Sequence, residues 1–513
     1  MRRLARDVLM MALATGISRL LGLLRDAAIA DRFGASGVYD AFLIAFFVPH
    51  FLRQLLAEGA LSTAFLPLYT GLRVTRGDTD LTVVGNDADR FASGLLSWLL
   101  LVFAAVVGLG VWLAPTYVPF LASGFAPDKL SLAVRLTRIV FPFIALVGFA
   151  AVFMGILNSY RRFFAASLAP TWFNVGMILG VLVLAPRLPQ QPVLGLAIGA
   201  LIGGGGQLLA QIPSLYGVGF RFRLTFWPIH PDIYRLIRLM TPAILTLAVT
   251  QINLLVDNKL ASHLGDGGIA SLQYGMRLFQ LPLGVFAVSV ATALLPRLSE
   301  AWSRRDDARF STYLGDGIAL SALVLLPAMV GLFAIGDDVV RLLFEHGWFT
   351  PEDTLRTTRV LSFYLIGLFP YGLVYLFSRA FYALRRTRLP FLAAAVAVGV
   401  NVGLDLLLVS TMREAGLALA TAISGVVNAL LLGVFLVSRT RFPARRLSLV
   451  ALGCGLLYGL TWGIRRLVGG GPTAVAVFAP LVVGVVFYGA YVRWSPLWAL
   501  VGRFRRDGPG SEG

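Results

Sequence analysis

Cysteine occurs once in these 513 residues, at Cys454, which excludes an intrachain disulfide and a thiolate metal cluster. The four histidines, His50, His230, His263 and His346, are scattered without ligand spacing and give no basis for a metal site of their own. No G-x-x-x-x-G-K-S/T run occurs, so ATP is not bound through a P-loop. Charge is scarce, at 14% of residues, and acid is scarcer than base, 26 residues against 44. With 58% of residues hydrophobic, this composition excludes an ordinary soluble protein.

What is present is a succession of apolar segments of spanning length, near 8–29, 38–69, 91–113, 136–157, 167–185, 193–216, 236–262, 271–298, 314–335, 357–384, 390–410, 416–438, 447–468 and 473–492. They predict an all-α polytopic membrane protein with fourteen transmembrane helices; a transmembrane β-barrel would show short alternating segments instead. The start MRRLARDV before an apolar run imitates a signal peptide, but the run carries internal charges and no small-x-small cleavage site, so it reads as an uncleaved first helix.

The net charge of +18 is a topology signal, not a nucleic-acid footprint, because its residues collect in alternate loops. Arg73, Arg76 and Arg90 follow the second segment, Arg161 and Arg162 the fourth, and Arg221, Arg223, Arg235 and Arg238 the sixth. Arg304, Arg305, Arg309, Arg385, Arg386, Arg388, Arg439, Arg441, Arg445 and Arg446 continue the pattern, while the opposite loops carry few, such as Arg32, Lys129, Arg187 and Arg413. By the positive-inside rule both termini are cytoplasmic.

The two halves repeat in the same order. LLRDAAIADRFG (Leu23 to Gly34) lies over LLVDNKLASHLG (Leu254 to Gly265), TAFLP from Thr63 over TALLP from Thr292, and GLAIGALIGG from Gly195 over GLALATAISG from Gly416. SYRRF around Arg161 falls on ALRRT around Arg385. Six helices per repeat is an even number, so both halves enter from the same side, as in transporters whose lobes rock about a central site. The expected division is an N-lobe over 1–225, a C-lobe over 226–440, two extra helices over 441–495 that offer an apolar groove, and a cytoplasmic tail over 496–513. Gly203 to Gly206, four glycines in a row, read more readily as close helix packing than as a hinge.

Charges inside spanning segments cost roughly 2.5–3.5 kcal/mol each on insertion scales, so they mark function by default. SRLLGLLRD holds three of them: Arg19 and Asp26 share one helical stripe, Ser18 and Arg25 the next, and Gly22 lies between, leaving room beside the backbone. The second segment adds Asp40, Arg53 and Glu58 around Pro49, and the eighth adds Arg277 with Gln273 and Gln280. Arg19, Arg25, Arg53 and Arg277 outnumber the acids opposite them and suit a diphosphate, since a guanidinium binds phosphate in a bidentate fork and stays charged when desolvated. The competing reading is that Arg–acid pairs only hold helices in register. A second set, Asp257, Asn401, Asp405 and Thr421 with the backbone carbonyl of Leu417, offers oxygen ligands for a hard monovalent cation. Its competitor is pairing of Asp257 with Lys259 and solvation of Asp405 near a helix end.

The stretches SRLLGLLRDAAIADRFG, YDAFLIAFFVPHFLRQLLAEGALSTAFLP, YGMRLFQLPLGVFAVSVATALLP, FEHGWFT and RAFYALRRTRLP resemble the MurJ/MviN family of the multidrug/oligosaccharidyl-lipid/polysaccharide exporter superfamily. The resemblance spans nearly the whole chain, and fourteen helices fit it better than the twelve usual for drug-exporting relatives. It implies a lipid II flippase, a transporter and not an enzyme, that moves the undecaprenyl-diphosphate-linked peptidoglycan precursor from the inner to the outer leaflet of the bacterial cytoplasmic membrane by alternating access. It further implies lipid II and membrane lipids as partners; the chain is expected to act as a monomer, with Na+ at the second polar set or the membrane potential biasing the cycle and no other cofactor. Arg19, Arg25, Arg53 and Arg277 match the family's cavity arginines, and Asp26 and Asp40 its acids. The sequence departs at Phe47, where many members carry lysine, and at Met276, where an acid is common. An exporter of another polyprenyl-linked saccharide or of drugs would share the fold. A membrane enzyme on polyprenyl diphosphates would need a large loop with paired carboxylates, which is not seen.

Overall fold

The computed structural model describes residues 2–54, 61–74, 87–227, 229–437, 440, 442–468 and 471–506, and every regular element among them is a helix. The chain divides into two compact units, Met1–Gly267 and Gly268–Gly513.

Unit 1 runs α1 (Arg2–Phe33), α2 (Gly37–Arg53), α3 (Ser62–Val74), α4 (Asp87–Trp112), α5 (Ala114–Leu121), α6 (Pro127–Val140), α7 (Phe143–Ser159) and α8 (Phe163–Leu179). A π-helical turn, Gly180–Leu184, leads to α9 (Ala185–Arg187), followed by α10 (Val193–Leu209), α11 (Ile212–Gly217) and α12 (Pro231–Ala261). Helix α8 lies between α1 and α10, α2 packs on α6, and α12 packs on α3, α4 and α5. The seventh apolar segment thus groups with the first six, although the sequence repeat makes it the opening helix of the second half.

Unit 2 begins with α13 (Gly268–Pro282), which passes through a second π-helical turn, Leu283–Ala287, into α14 (Val288–Ser303). Then follow α15 (Asp307–Phe344), α16 (Pro351–Ile366), α17 (Leu368–Ala383), α18 (Arg388–Met412), α19 (Glu414–Leu436), α20 (Ala444–Val468), α21 (Thr473–Trp494) and α22 (Trp498–Arg506). Its core is Leu294, Leu298, Phe310, Leu314, Leu376 and Phe381, joined by the neighbouring cluster that seats α20 and α21 on α15.

All fourteen apolar segments fall on helix among the described residues. Ten helical spans are long and apolar enough to cross a membrane, and the α16–α17 pair, bent by 42°, makes an eleventh if taken as one span. Segments 8–29, 38–69 and 236–262 fall on α1, on α2 with α3, and on α12. The chain is therefore a multi-pass helical membrane protein.

The repeat is visible in local detail. Arg161 and Arg385 both sit in the left-handed region, at φ 57° and 56°, and in both turns the next amide bonds the carbonyl five residues back, Arg162 to Leu157 and Arg386 to Phe381, each at 2.9 Å. Such a bond closes the exposed carbonyls at a helix end, and the following arginine side chains suit its negative pole. Arg135 Nη1 donates to Gln191 Oε1 at 2.7 Å, and Arg356, at the same sequence spacing as Gly416 from Gly195, pairs with Glu414.

The stretch after residue 495 begins with α22: Leu497, just before it, and Leu500, within it, are fully buried with residues of α15, α20 and α21. The amphipathic order WALVGRFRR carries the helix, with apolar residues on one side and arginines following.

Helices α8 and α10 meet backbone to backbone. A Cβ on Gly176 would stand 2.3 Å from Gly203 Cα, and one on Gly203 2.8 Å from Phe173 Cα, whereas one on Gly205 would meet nothing within 4 Å. Small residues substitute for the hydrophobic drive that is missing between helices in lipid. Gly203→Ala is expected to lower the detergent-solubilised melting temperature, because backbone cannot give way. Gly205→Ala is expected to be neutral or to stabilise by about 0.5–1 kcal/mol through helix propensity. Equal melting temperatures for the two variants would remove the packing role of Gly203.

Candidate functional site

The first two turns of the polar stretch in α1 lie against α8. Arg25 and Asp26 are 8% and 7% exposed, deep burial for charged groups. Arg25 Nε and Nη2 donate to Asp26 Oδ1 at 2.9 and 2.7 Å, and Nη1 donates to Asn174 Oδ1 at 2.9 Å. Asn174 in turn donates from Nδ2 to the Ser18 carbonyl at 3.0 Å. One amide on α8 therefore fixes both the guanidinium and the backbone about two turns earlier. A guanidinium carries five N–H groups. Three are engaged here, so a charged, pre-oriented fork keeps donors for an anion.

Gly22 faces this amide and not a void: a Cβ there would be 3.8 Å from Asn174 Nδ2, an ordinary contact. Phe173, beside Asn174, brings its ring within 5.8 Å of Arg25 Cζ and joins Phe46 and Phe143 in an aromatic cluster that backs the site. Arg19 is exposed on α1, and Arg53 is half-buried with Nη2 3.3 Å from His50 Nδ1. Arg277 is half-buried on α13 in unit 2, and Glu58 lies outside the described residues.

Asp40 has a different setting. It is fully buried in the first turn of α2, where Lys129 Nζ of α6 donates to Oδ2 at 2.9 Å and the Gly267 amide donates to the same oxygen at 2.8 Å. Lys129 also reaches Asp266 at 2.8 Å, and a Cβ on Gly37 would strike that carboxylate at 2.3 Å. The carboxylate thus ties α2, α6 and the end of unit 1. Phe47 packs tilted against Phe51, ring centroids 6.2 Å apart, so the departure from the family's lysine extends the aromatic face of α2.

Of the second set, Asp257 belongs to α12 in unit 1, where Asn253 Nδ2 donates to its Oδ2 at 3.2 Å, while Lys259 places its ammonium over the Phe120 ring, 4.0 Å from the centroid. Asn401, Asp405, Leu417 and Thr421 belong to α18 and α19, which pack along their length. Asn401 and Asp405 are 1% and 0% exposed, so Asp405 is not a solvated helix-end acid. Thr421 Oγ1 donates to the Leu417 carbonyl at 3.0 Å. Among the described residues no group of three His, Cys, Asp or Glu could hold a metal. A single carboxylate with amide, hydroxyl and carbonyl oxygens fits a hard monovalent cation better than a divalent one.

A family model described as "Lipid II flippase MurJ" matches residues 29–491. The chain belongs to the MurJ family. A relative from Vibrio cholerae, "Probable lipid II flippase MurJ", is 34% identical over 488 residues, covering 91% of this chain and 92% of its own. A solved structure titled "Lipid II flippase MurJ, inward closed conformation" superposes with a TM-score of 0.80 at 29% identity, over 94% of this chain and 98% of that one. An inward-facing multidrug transporter of the MATE family shares the fold at a TM-score of 0.67 and 16% identity. The matched stretch holds Asp40, Arg53, Arg277 and the second polar set, and begins just after Arg25 and Asp26.

Asn174, Lys129 and Asp266 were not singled out from the sequence. Asn174 is an amide in an otherwise apolar span, which is a signal in its own right, since membrane-buried amides seek partners. The Asp40 ion pair generates a test. Removing one partner of a buried pair costs about 3–5 kcal/mol, so Asp40→Asn is expected to lower the melting temperature by several degrees. Asp266→Asn is expected to change it little, because that side chain is 76% exposed. Thermal unfolding of the purified chain in detergent measures both, and an unchanged Asp40→Asn variant would refute the tie.

Proposed function

We propose that this chain translocates lipid II from the inner to the outer leaflet of the bacterial cytoplasmic membrane. The observation that carries the reading is a buried guanidinium, Arg25, oriented by Asp26 and Asn174 with N–H groups to spare, in a chain of the MurJ family. A diphosphate presents oxygens that such a fork binds in pairs. Arg19, Arg53 and Arg277 add positive charge along the headgroup's path, while Asp26 orients Arg25 and Asp40 secures α2. The exposed apolar faces of α20 and α21, with Leu452, Leu456, Phe478 and Val482 outward, suit a polyprenyl tail that stays in lipid.

All fourteen apolar segments cross the membrane in this reading, α1, α2 with α3, and α12 included. The termini are cytoplasmic and the basic turns at Arg161, Arg305 and Arg385 lie on the cytoplasmic face, where the positive-inside rule puts them. The lobes are those of the sequence repeat, 1–225 and 226–440, followed by 441–495 and the tail, and the chain works as a monomer by alternating access. Arg25 and the other arginines bind the diphosphate while the site is open inward, and access then passes to the outer face. Na+ biases the cycle by binding Asn401, Asp405, Thr421 and the Leu417 carbonyl, with Asp257 following its occupancy. The membrane potential adds about 2.3 kcal/mol per charge moved per 100 mV.

Arg25→Ala and Arg277→Ala are each expected to abolish both complementation of flippase-depleted cells and transport of labelled lipid II in proteoliposomes, at normal expression. Asn174→Ala, which keeps the charge but loses its orientation, is expected to leave reduced transport. Full transport by Arg25→Ala would end the diphosphate assignment. Uptake of another polyprenyl-linked sugar in preference to lipid II would favour the related exporter. For the cation, sodium at ten times its dissociation constant stabilises the folded state by about 1.4 kcal/mol over potassium. That increment is expected to vanish in Asp405→Asn, and its survival would exclude the site.

A further inference from the structure

The segment joining α11 to α12 is extended, and its residues alternate: Phe220, Arg221, Phe222, Arg223, Leu224, Thr225. Two buried serines one turn apart on α4 hold it. Ser93 Oγ accepts from the Arg223 amide at 3.3 Å, and Ser97 Oγ accepts from the Thr225 amide at 2.9 Å. In an extended chain successive side chains point to opposite sides. Here Arg223 and Thr225 lie on one side and Phe220 and Phe222 on the other, with the Arg221 guanidinium over the Tyr216 ring, 5.1 Å from its centroid, where the two recesses of unit 1 adjoin.

On one side, Phe220 and Phe222 line an apolar groove of about 320 Å3 with Leu96, Leu100, Phe149 and Phe153. Leu100, Tyr216 and Phe222 are 47%, 57% and 50% exposed there, so the groove opens to the surroundings of the spanning helices. On the other side, Arg221, Arg223 and Thr225 line a cavity of about 710 Å3, joined by Arg90 from α4 and backed by Trp98 and Phe226, whose rings meet edge to face at 6.1 Å. Among the described residues no carboxylate pairs with Arg90, Arg221 or Arg223. The acids that border the cavity are turned to other partners. Asp89 accepts from Tyr69 Oη at 3.0 Å, while Asp87 and Asp232 flank His230 at 3.5 and 3.6 Å.

We propose that these two recesses form one binding site for an anionic phospholipid, its phosphodiester headgroup among Arg90, Arg221 and Arg223 and one acyl chain in the groove beneath Phe222. The pairing of an acyl-sized groove with an arginine-rimmed cavity across a single strand is what a phosphodiester carrying a hydrocarbon chain requires, and basic recesses at helix ends take such headgroups. Guanidiniums suit the phosphate fork, and the rings of Trp98 and Phe226 wall the cavity behind it. The cavity ends at Asp232 in the first turn of α12, so a lipid seated there would brace the start of that helix. This site is separate from the Arg25 cluster and does not depend on the transport reading.

Native mass spectrometry of the full chain in detergent tests it, with phosphatidylglycerol and phosphatidylcholine of equal chain length as probes and inorganic phosphate as competitor. Phosphatidylglycerol is expected to bind roughly tenfold more tightly than phosphatidylcholine. Arg221→Ala combined with Arg223→Ala is expected to erase that preference, and Phe222→Ser to weaken both lipids alike. Arg90→Gln, a single change on α4, is expected to reduce the preference severalfold should the double variant be unstable. Equal binding of the two lipids by the unaltered chain, or a preference that survives these changes, would overturn the proposal. Displacement of the lipid by millimolar inorganic phosphate would overturn the acyl-chain part and leave a phosphate site alone.

Discussion

A buried guanidinium must have its charge answered at once, and how Arg25 is answered sets the packing of α1 on α8. Its carboxylate partner is its own neighbour, Asp26, so the pair is nearly neutral as a unit and the expense of burying it is limited. The third contact, to Asn174, is what turns an ion pair into a positioned donor. It makes the α1–α8 packing and the orientation of the fork the same event. Close approach of α8 to α10 through Gly176 and Gly203 then holds the amide's helix in place from behind. Glycine packing, amide and guanidinium form one chain of cause, from a backbone contact to a binding group.

This arrangement reconciles two readings that the sequence left in competition. Arginines that bind a diphosphate and arginines that hold helices in register are one residue here, because a fork with five N–H groups can do both. Asp40 lacks that latitude. A carboxylate with 0% exposure that accepts from Lys129 and from the Gly267 amide on one oxygen is a structural tie.

Much of the fold was legible because spanning segments obey a length rule and basic loops obey a sidedness rule, so composition alone marks helices and turns. Arg25 and Asp26 were legible for the same reason, as charges where charge is costly. Asn174 was not, because an amide costs less in lipid and its partner lies 149 residues away. Nor was the grouping of α12 with unit 1. The repeat aligns Asp257 with Asp26, but packing follows surfaces, and α12 presents its surface to α3, α4 and α5. The equivalent aspartates have accordingly diverged, one bonded to Arg25 and the other to Asn253. Helix α22 was hidden because nine residues with three arginines read as tail until the buried Leu497 and Leu500 show what they rest on.

The two helices beyond the repeat show how charge at the ends of a span can do what apolar packing does along it. Helix α20 has little intramembrane charge, yet Arg446 near its start pairs with Asp316 of α15, and Arg465 near its end pairs with Asp338 and donates to Asp337 at 3.3 Å and to the Ala334 carbonyl at 3.2 Å. The early residue meets the early residue and the late meets the late, so the two helices run parallel. At 1.5 Å per residue the clamps stand roughly 30 Å apart, the thickness of a bilayer core. Each ion pair then sits where water and headgroups can solvate what the partner does not, and the stretch between them carries no charge. A helix fixed this way at both ends is held to α15 along its length, and its outward apolar face stays exposed.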